Sequence, residues 1–213
     1  MQIKIGCDPE IFVKKDGVLV SAYGLIEGDK QNPLKVPRGA VQVDGMALEF
    51  NTDPASSEDE FVMNIEQVMA VLKSMCPEHE FYIEPVAHFG QEYIKAQPDV
   101  AKELGCDPDF NAWTDSANPR PDGNSGIRTA SGHVHIGWGE NYASSDKYHR
   151  TDCCEVGKQM DFFLGLPSLF YDTDTERRSL YGKGGAIRFK PYGVEYRTLS
   201  NKWLNNKDRM RWV

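Results

Sequence analysis

The sequence predicts an α+β chain built around a single core. Short runs of alternating apolar and polar residues, bounded by Gly, Pro, Asn and Asp, recur along the chain and read as strands. Two longer stretches carry apolar residues at helical spacing. At 213 residues the chain is long enough for one sizeable core and short for two. No repeat, low-complexity tract or interdomain linker divides it, so 1–213 reads as one domain.

Taken in order, Ile3–Ile5, Ile11–Lys14 and Val18–Ser21 read as strands, with Lys15-Asp16-Gly17 as the hairpin turn between the last two. Glu27 to Pro33 is a polar loop with Lys30 at its tip, either a plain surface turn or a phosphate or substrate contact. Val41–Val43 and Met46–Asn51 follow as strands broken by Asp44-Gly45. Ser57 to Met75 is the first helix. Ser57-Glu58-Asp59-Glu60 forms a capping box, and Phe61, Ile65, Val68, Met69 and Leu72 mark the buried stripe. Pro77 ends that helix, and Phe81–Val86 is apolar enough for an internal strand.

From His88 to Arg128 the periodicity is lost. Pro108 to Gly126 is dense in Pro, Gly, Asn and Asp, and the region carries Trp113, Arg120 and Arg128. It reads as a substrate-covering loop or as an unstructured insertion. Ser131 to Trp138 returns to strand character. Ser145 to Leu166 is the second helix, with Cys153, Val156, Met160, Phe163 and Leu164 as its apolar stripe and Pro167 closing it. Arg177 to Arg188 combines glycines with cations, and Val194–Leu199 is the last strand. The basic, Trp-containing tail packs on the core or on a partner.

Composition narrows the function classes. A formal charge of −8 and a pI near 5.2 argue against general nucleic-acid or anionic-membrane binding. No apolar run approaches the ~20 residues of a spanning helix. The N-terminus opens into a strand without an apolar leader. Five cysteines, odd in number and without Cys-x-x-Cys spacing, suit a reducing cytosol, so a cytoplasmic location is expected.

The central candidate is Ser131-Gly132-His133-Val134-His135-Ile136-Gly137-Trp138. Period two puts His133 and His135 on one face and Val134 and Ile136 on the other. Paired imidazoles fill a core poorly but suit a metal or an anion. Carboxylates occur in three other strand-like segments. Cys7-Asp8-Pro9-Glu10 carries two at i and i+2, Glu49 lies in the apolar run after Asp44-Gly45, and Glu195 shares a face with Arg197. Four such strands laid side by side would gather Asp8, Glu10, Glu49, His133, His135, Glu195 and Arg197 on one surface. That set suits a hard cation and phosphate. Taken singly, each acid reads as a solvated strand face. Arg177, Arg178, Lys183 and Arg188 flank glycines that would let a polyphosphate approach. Neither a Walker A sequence nor Gly-x-Gly-x-x-Gly after a strand is present.

In order, Asp-x-Glu-x-Phe from Asp8, Asp-Gly-x-x-x-Glu-Phe-Asn from Asp44, Ser-Gly-His-Val-His-Ile-Gly from Ser131 and Glu-x-Arg from Glu195 resemble the catalytic domain shared by glutamine synthetase and glutamate–cysteine ligase. The Gly-Cys-Asp-Pro-Glu opening and the run from Tyr181 to Asn201 most resemble the compact phage-encoded carboxylate–amine ligases of that superfamily. The resemblance spans Gly6 to Asn201. It implies a curved, mainly antiparallel sheet with helices on one face and ATP with two or three Mg²⁺ on the other, Mn²⁺ being able to substitute. It implies metal ligation by Glu10 and Glu49 at one site and by Asp8, His133 and Glu195 at another. Asp8 stands where glutamine synthetase has Glu, and Asp44 lies near the second acid motif at a different spacing. His135 would face phosphate, Arg197 and Arg188 would neutralise the transferring group, and Lys183 would join them around the nucleotide. The implied reaction joins a small or peptide-borne carboxylate to a primary amine through an acyl phosphate. An oligomer is compatible with it, and a phage-encoded chain would work in the host cytoplasm.

Two rival classes remain open. A cupin-like metal oxygenase would use His133, His135, Glu140 and a downstream histidine, for which only His149 is present. A non-catalytic nucleotide- or metal-binding phage protein would keep the acids without turnover.

Overall fold

The computed structural model describes residues 2–102, 109–119 and 126–213. Its strands are β1 (Lys4–Lys15), β2 (Val18–Val20), β3 (Leu34–Val36), β4 (Gly39–Asp44), β5 (Ala47–Thr52), β6 (Glu80–Tyr82), β7 (Val86–His88), β8 (Phe110–Asn111), β9 (Ser116–Ala117), β10 (Ile127–Thr129), β11 (Gly132–Gly137), β12 (Ala186–Lys190) and β13 (Gly193–Tyr196). Its helices are α1 (Glu58–Met75), α2 (Gln91–Lys95), α3 (Asp99–Lys102), α4 (Lys147–Met160), α5 (Leu166–Ser168), α6 (Glu176–Leu180) and α7 (Lys207–Trp212). A π-helical turn, Asp161–Gly165, joins α4 to α5, and a 3₁₀ turn, Asn201–Asn205, precedes α7.

The fold is α+β with one large antiparallel sheet. The strand order is β3-β4-β5-β1-β11-β13-β12-β8-β9, and β2 and β6 pair with β1 off that path. β7 and β10 pair separately. The strand at the hub is β1. The sequence suggested separate pieces there, but one 12-residue strand runs through Pro9. Lys4–Pro9 pair with β11, Glu10 and Ile11 with β5, and the end with β2 and β6. The Glu10 amide donates to Ser131 on the β11 side, and the Cys7 amide donates to Thr52 Oγ1 on the β5 side. Alternation therefore turns the Pro9 nitrogen toward β5, where the ladder begins only at Glu10, so the missing donor breaks no bond.

The sheet has two chemically distinct faces. Cys7, Ile11, Leu48, Phe50, Val134, Ile187, Val194 and Tyr196 point to one side and join one buried cluster. Both long helices cover that side. α1 packs on β4 and β5 through Phe61, Ile65, Val68 and Leu72, with Ser57 accepting the Glu60 amide as its N-cap. The reciprocal half of the expected capping box shifts by one residue: the Glu60 carboxylate accepts the Ser56 amide. α4 packs on β12 and β13, and Gly157 permits the approach, since a Cβ there would lie 2.7 Å from Ile187. The tail packs on this core: Trp203 is fully buried, donates to the Gly132 carbonyl at 3.1 Å and stacks on Phe61.

Several local expectations change. Phe81–Val86 is two short strands, β6 and β7, in different sheets. The His88–Arg128 stretch holds α2, α3 and short strands. Arg120 and 103–108 lie outside the described residues, as does 120–125, so the reading of a covering loop falls partly beyond them. The second helix starts at Lys147, capped by Asp146. Pro167 does not close it but sits in α5, directly after the π-turn. The π-turn adds a residue before it, and Phe163, expected in the buried stripe, is exposed. Among the described residues no helix is long and apolar enough to cross a membrane. The four described cysteines are free and buried.

Candidate functional site

The opposite face of the sheet carries the acids. Antiparallel register sets Glu10 opposite Glu49, Asp8 opposite His133, and Glu195 opposite both His135 and Arg188. Each of these residues sits at the alternate position to a core residue on its own strand. The two-residue period that sends Val134 and Val194 into the core therefore sends His133, His135 and Glu195 to the other side. Strand neighbours Gln42 and Asp44 of β4 extend the same face.

Two groups of ligating atoms result. Asp8, His135 and Glu195 each offer one atom within 4.8 Å of the others, and so do Glu10, Asp44 and Glu49. This grouping differs from the expected ligand sets in two respects. Asp44, ranked behind the other acids, joins Glu10 and Glu49. His135, expected at phosphate, joins Asp8 and Glu195. His133 lies alongside, with Nδ1 at 3.4 Å from both the Asp8 and Glu195 carboxylates.

The electrostatics differ between the groups. Burial pushes the Glu10 carboxyl up to about 7, and Asp44 adds to this against the Ser131 amide, Arg177 and Arg197. Burial and the charges of Asp8, Asp44 and Glu10 hold Glu49 well above its usual range. Gln42 Nε2 donates to Glu49 at 2.8 Å, and Lys30 lies 3.6 Å from Asp44. The second group is charge-balanced. Burial opposes ionisation of Asp8, but His135 and His133 outweigh it and keep the carboxyl well below the ordinary value. Burial likewise opposes protonation of His135, but Asp8, bonded at 2.8 Å, and Glu195 raise it. Burial and the Arg197 charge press His133 down to about 4.

No family model matches this chain, and no curated protein does.

Glu195 is 0% exposed and organises the cations. Arg197 bonds its Oε1, Arg188 reaches it at 3.4 Å, and Lys190 Nζ lies 3.0 Å from Oε2. Arg197 also donates to Tyr181 and approaches Asp109 at 3.8 Å. Arg188 and Arg197 thus stand beside the acid group. Lys183 does not join them: its ammonium is exposed and has no ion pair among the described residues, and its carbonyl accepts from Thr198. Arg177 and Arg178 are structural rather than phosphate-facing. Arg177 is fully buried and donates to the Thr198 and Leu199 carbonyls, and Arg178 binds the Asp172 and Asp174 carbonyls and the Asp172 carboxylate. Arg128 donates to the carbonyls of Ile127 and Lys102.

Sequence reading missed Gln42, Tyr181, Lys190 and Tyr192. Tyr192 OH lies 2.5 Å from His135 Nδ1. Lys190 shares the face of Arg188 by simple alternation, which was a usable signal. Gln42 and Tyr192 become neighbours of the acids only through strand pairing. A cleft of about 620 Å³ opens over Asp8, Gln42, Glu49 and His135, and Trp138, Glu140 and Tyr192 also line it.

The donor sets fit divalent cations. Glu10, Asp44 and Glu49 are crowded carboxylates that repel one another's charge, which is the environment a hard, oxygen-seeking ion satisfies. Asp8, His135 and Glu195 mix oxygen with imidazole, a set that also accepts Mn²⁺.

Proposed function

We propose that this chain is an ATP-dependent carboxylate–amine ligase acting through an acyl phosphate, with a sheet of the glutamine synthetase catalytic-domain type. One observation carries the reading: two acid groups and a row of cations, Arg188, Lys190 and Arg197, share one sheet face beside a cleft. Carboxylates for Mg²⁺ next to cations for phosphate oxygens are the parts that phosphoryl transfer requires. Bound Mg²⁺ would neutralise phosphate charge and polarise the transferring group.

In this reading Glu10, Asp44 and Glu49 hold one ion, and Asp8, His135 and Glu195 hold another, with His133 beside them. Glu195 aims Arg188 and Arg197 at the phosphoryl group, where fixed cations stabilise charge without reorganising. A free carboxylate resists amines because it is anionic and has no adequate leaving group. Transfer of the γ-phosphoryl group from ATP would make its mixed anhydride with phosphate, whose acyl carbon the amine can attack with inorganic phosphate as the leaving group. The cleft volume lies in the range of small-molecule sites, which suits a nucleotide with a small or peptide-borne carboxylate and a primary amine.

The cupin-like alternative lacks its ligands. His149 is buried on the helical face, and its Nε2 bonds the Lys190 carbonyl at 2.8 Å. Glu140 lines the cleft but belongs to neither acid group.

The test is isotopic. Candidate carboxylates and amines are screened by thermal shift with Mg²⁺–ATP, and a hit is then supplied with ¹⁸O in its carboxyl group. Label in inorganic phosphate during amide formation is expected. Label in AMP would indicate adenylation, and amide formed with unlabelled phosphate would sink the acyl-phosphate route.

A further inference from the structure

The second helical segment ends in an apolar surface that the site does not use. Phe170 is 91% exposed, Phe162 65% and Phe163 60%, with Leu166, Leu169 and Trp212 about half exposed beside them. These six, with Pro167, line one shallow depression. The three phenylalanines offer roughly 400 Å² and the six residues about 700 Å², taking aromatic side chains at roughly 200 Å² each. Monomers rarely expose contiguous apolar patches larger than a few hundred Å².

The patch is a product of backbone geometry. Regular α-helical continuation of α4 would turn Phe163 toward the core with Met160 and Leu164. The π-turn at Asp161–Gly165 instead leaves both Phe162 and Phe163 outside while Asp161 and Leu164 stay buried. Asp161 anchors that turn by accepting from Tyr196 OH at 2.7 Å and from Trp113 Nε1 at 2.6 Å. Such turns recur at functional positions.

We infer that this surface is the contact between two copies of the chain, related by a two-fold axis. About 700 Å² from one copy approaches the ~800 Å² per partner of a stable interface. Among the described residues no charged side chain lines the depression, as in the apolar centres of homodimer interfaces. Arg211, next to Trp212 in the chain, is already paired with Glu58 and Asp59 and so offers no uncompensated charge to an acidic partner. A two-fold contact needs only this one patch, presented twice. With each copy at −8, screening by salt strengthens the contact.

Sedimentation velocity of the full chain tests this. The expected species at about 100 µM is twice 24.0 kDa, tightening as salt rises. Phe170→Glu is expected to weaken association about 30-fold or more while leaving the melting temperature unchanged at protein concentrations low enough for both chains to be monomers, because the side chain is exposed. Leu169→Ser serves as a second, milder variant with the same direction. A 24.0 kDa monomer at that concentration overturns the inference, as does a dimer that both variants leave intact. A monomer that binds neutral lipid vesicles through Phe170 also overturns it, and assigns the patch to a membrane surface.

Discussion

Replacing Glu10 with Gln should stabilise the metal-free protein at alkaline pH and do almost nothing at acid pH. Glu10 titrates at about 7 in the folded chain, against an ordinary value of 4.5. A carboxyl raised on folding favours the native state while it is protonated. That contribution is full below about pH 4.5 and is lost as pH rises through about 7. At ~1.4 kcal/mol per unit, the loss is on the order of 3 kcal/mol by pH 8. Gln occupies nearly the same space, and its carbonyl can keep the 2.7 Å bond from the Ser131 amide. The variant should therefore exceed the parent by about 1–3 kcal/mol at pH 8 in EDTA, and by a few tenths at pH 5. Urea unfolding at the two pH values measures both differences. In saturating Mg²⁺ the order should reverse, because only the parent keeps three carboxylates for the ion. A variant less stable than the parent at pH 8 in EDTA, or a difference independent of pH, would refute the reasoning.

Glu195→Gln should have the opposite sign, losing about 3 kcal/mol at neutral pH, because it strips the buried partner from Arg197, Arg188 and Lys190; denaturant melts check it. The two histidines should separate in an NMR pH titration of the metal-free protein. His133 stays neutral until about pH 4, whereas His135 remains protonated above the usual value of 6.5. Identical midpoints would contradict the assignment of Asp8 to His135. Gly182→Ala should cost roughly 2 kcal/mol or more, since φ is +68° and a Cβ would overlap the Arg177 guanidinium that holds the Thr198–Leu199 carbonyls. Thermal unfolding reads this directly.

Which residues could share a face was legible from local spacing. Strand alternation is local, so His133 with His135, Asp8 with Glu10 and Glu195 with Arg197 were legible from spacing alone. The stripe of α1 and its Ser57 cap were legible for the same reason, since helix periodicity and capping act within a few residues. Chain-wide acidity and the absence of a long apolar run were equally plain.

Which strands become neighbours is settled by long-range packing. Pairing joins residues far apart in the chain, and no local rule says that Glu10 meets Glu49 or that His135 meets Glu195. It therefore moved Asp44 into the first acid group and His135 into the second, and added Gln42 and Tyr192. It also took Arg177 and Arg178 out of the site. A cation looks the same in sequence whether it meets phosphate or a row of buried carbonyls, and the difference lies in what the fold packs around it. The exposed Phe163 has the same cause. A π-turn shifts the helical period by one residue, and its anchor, Asp161 on Tyr196, is a contact across 35 positions of the chain.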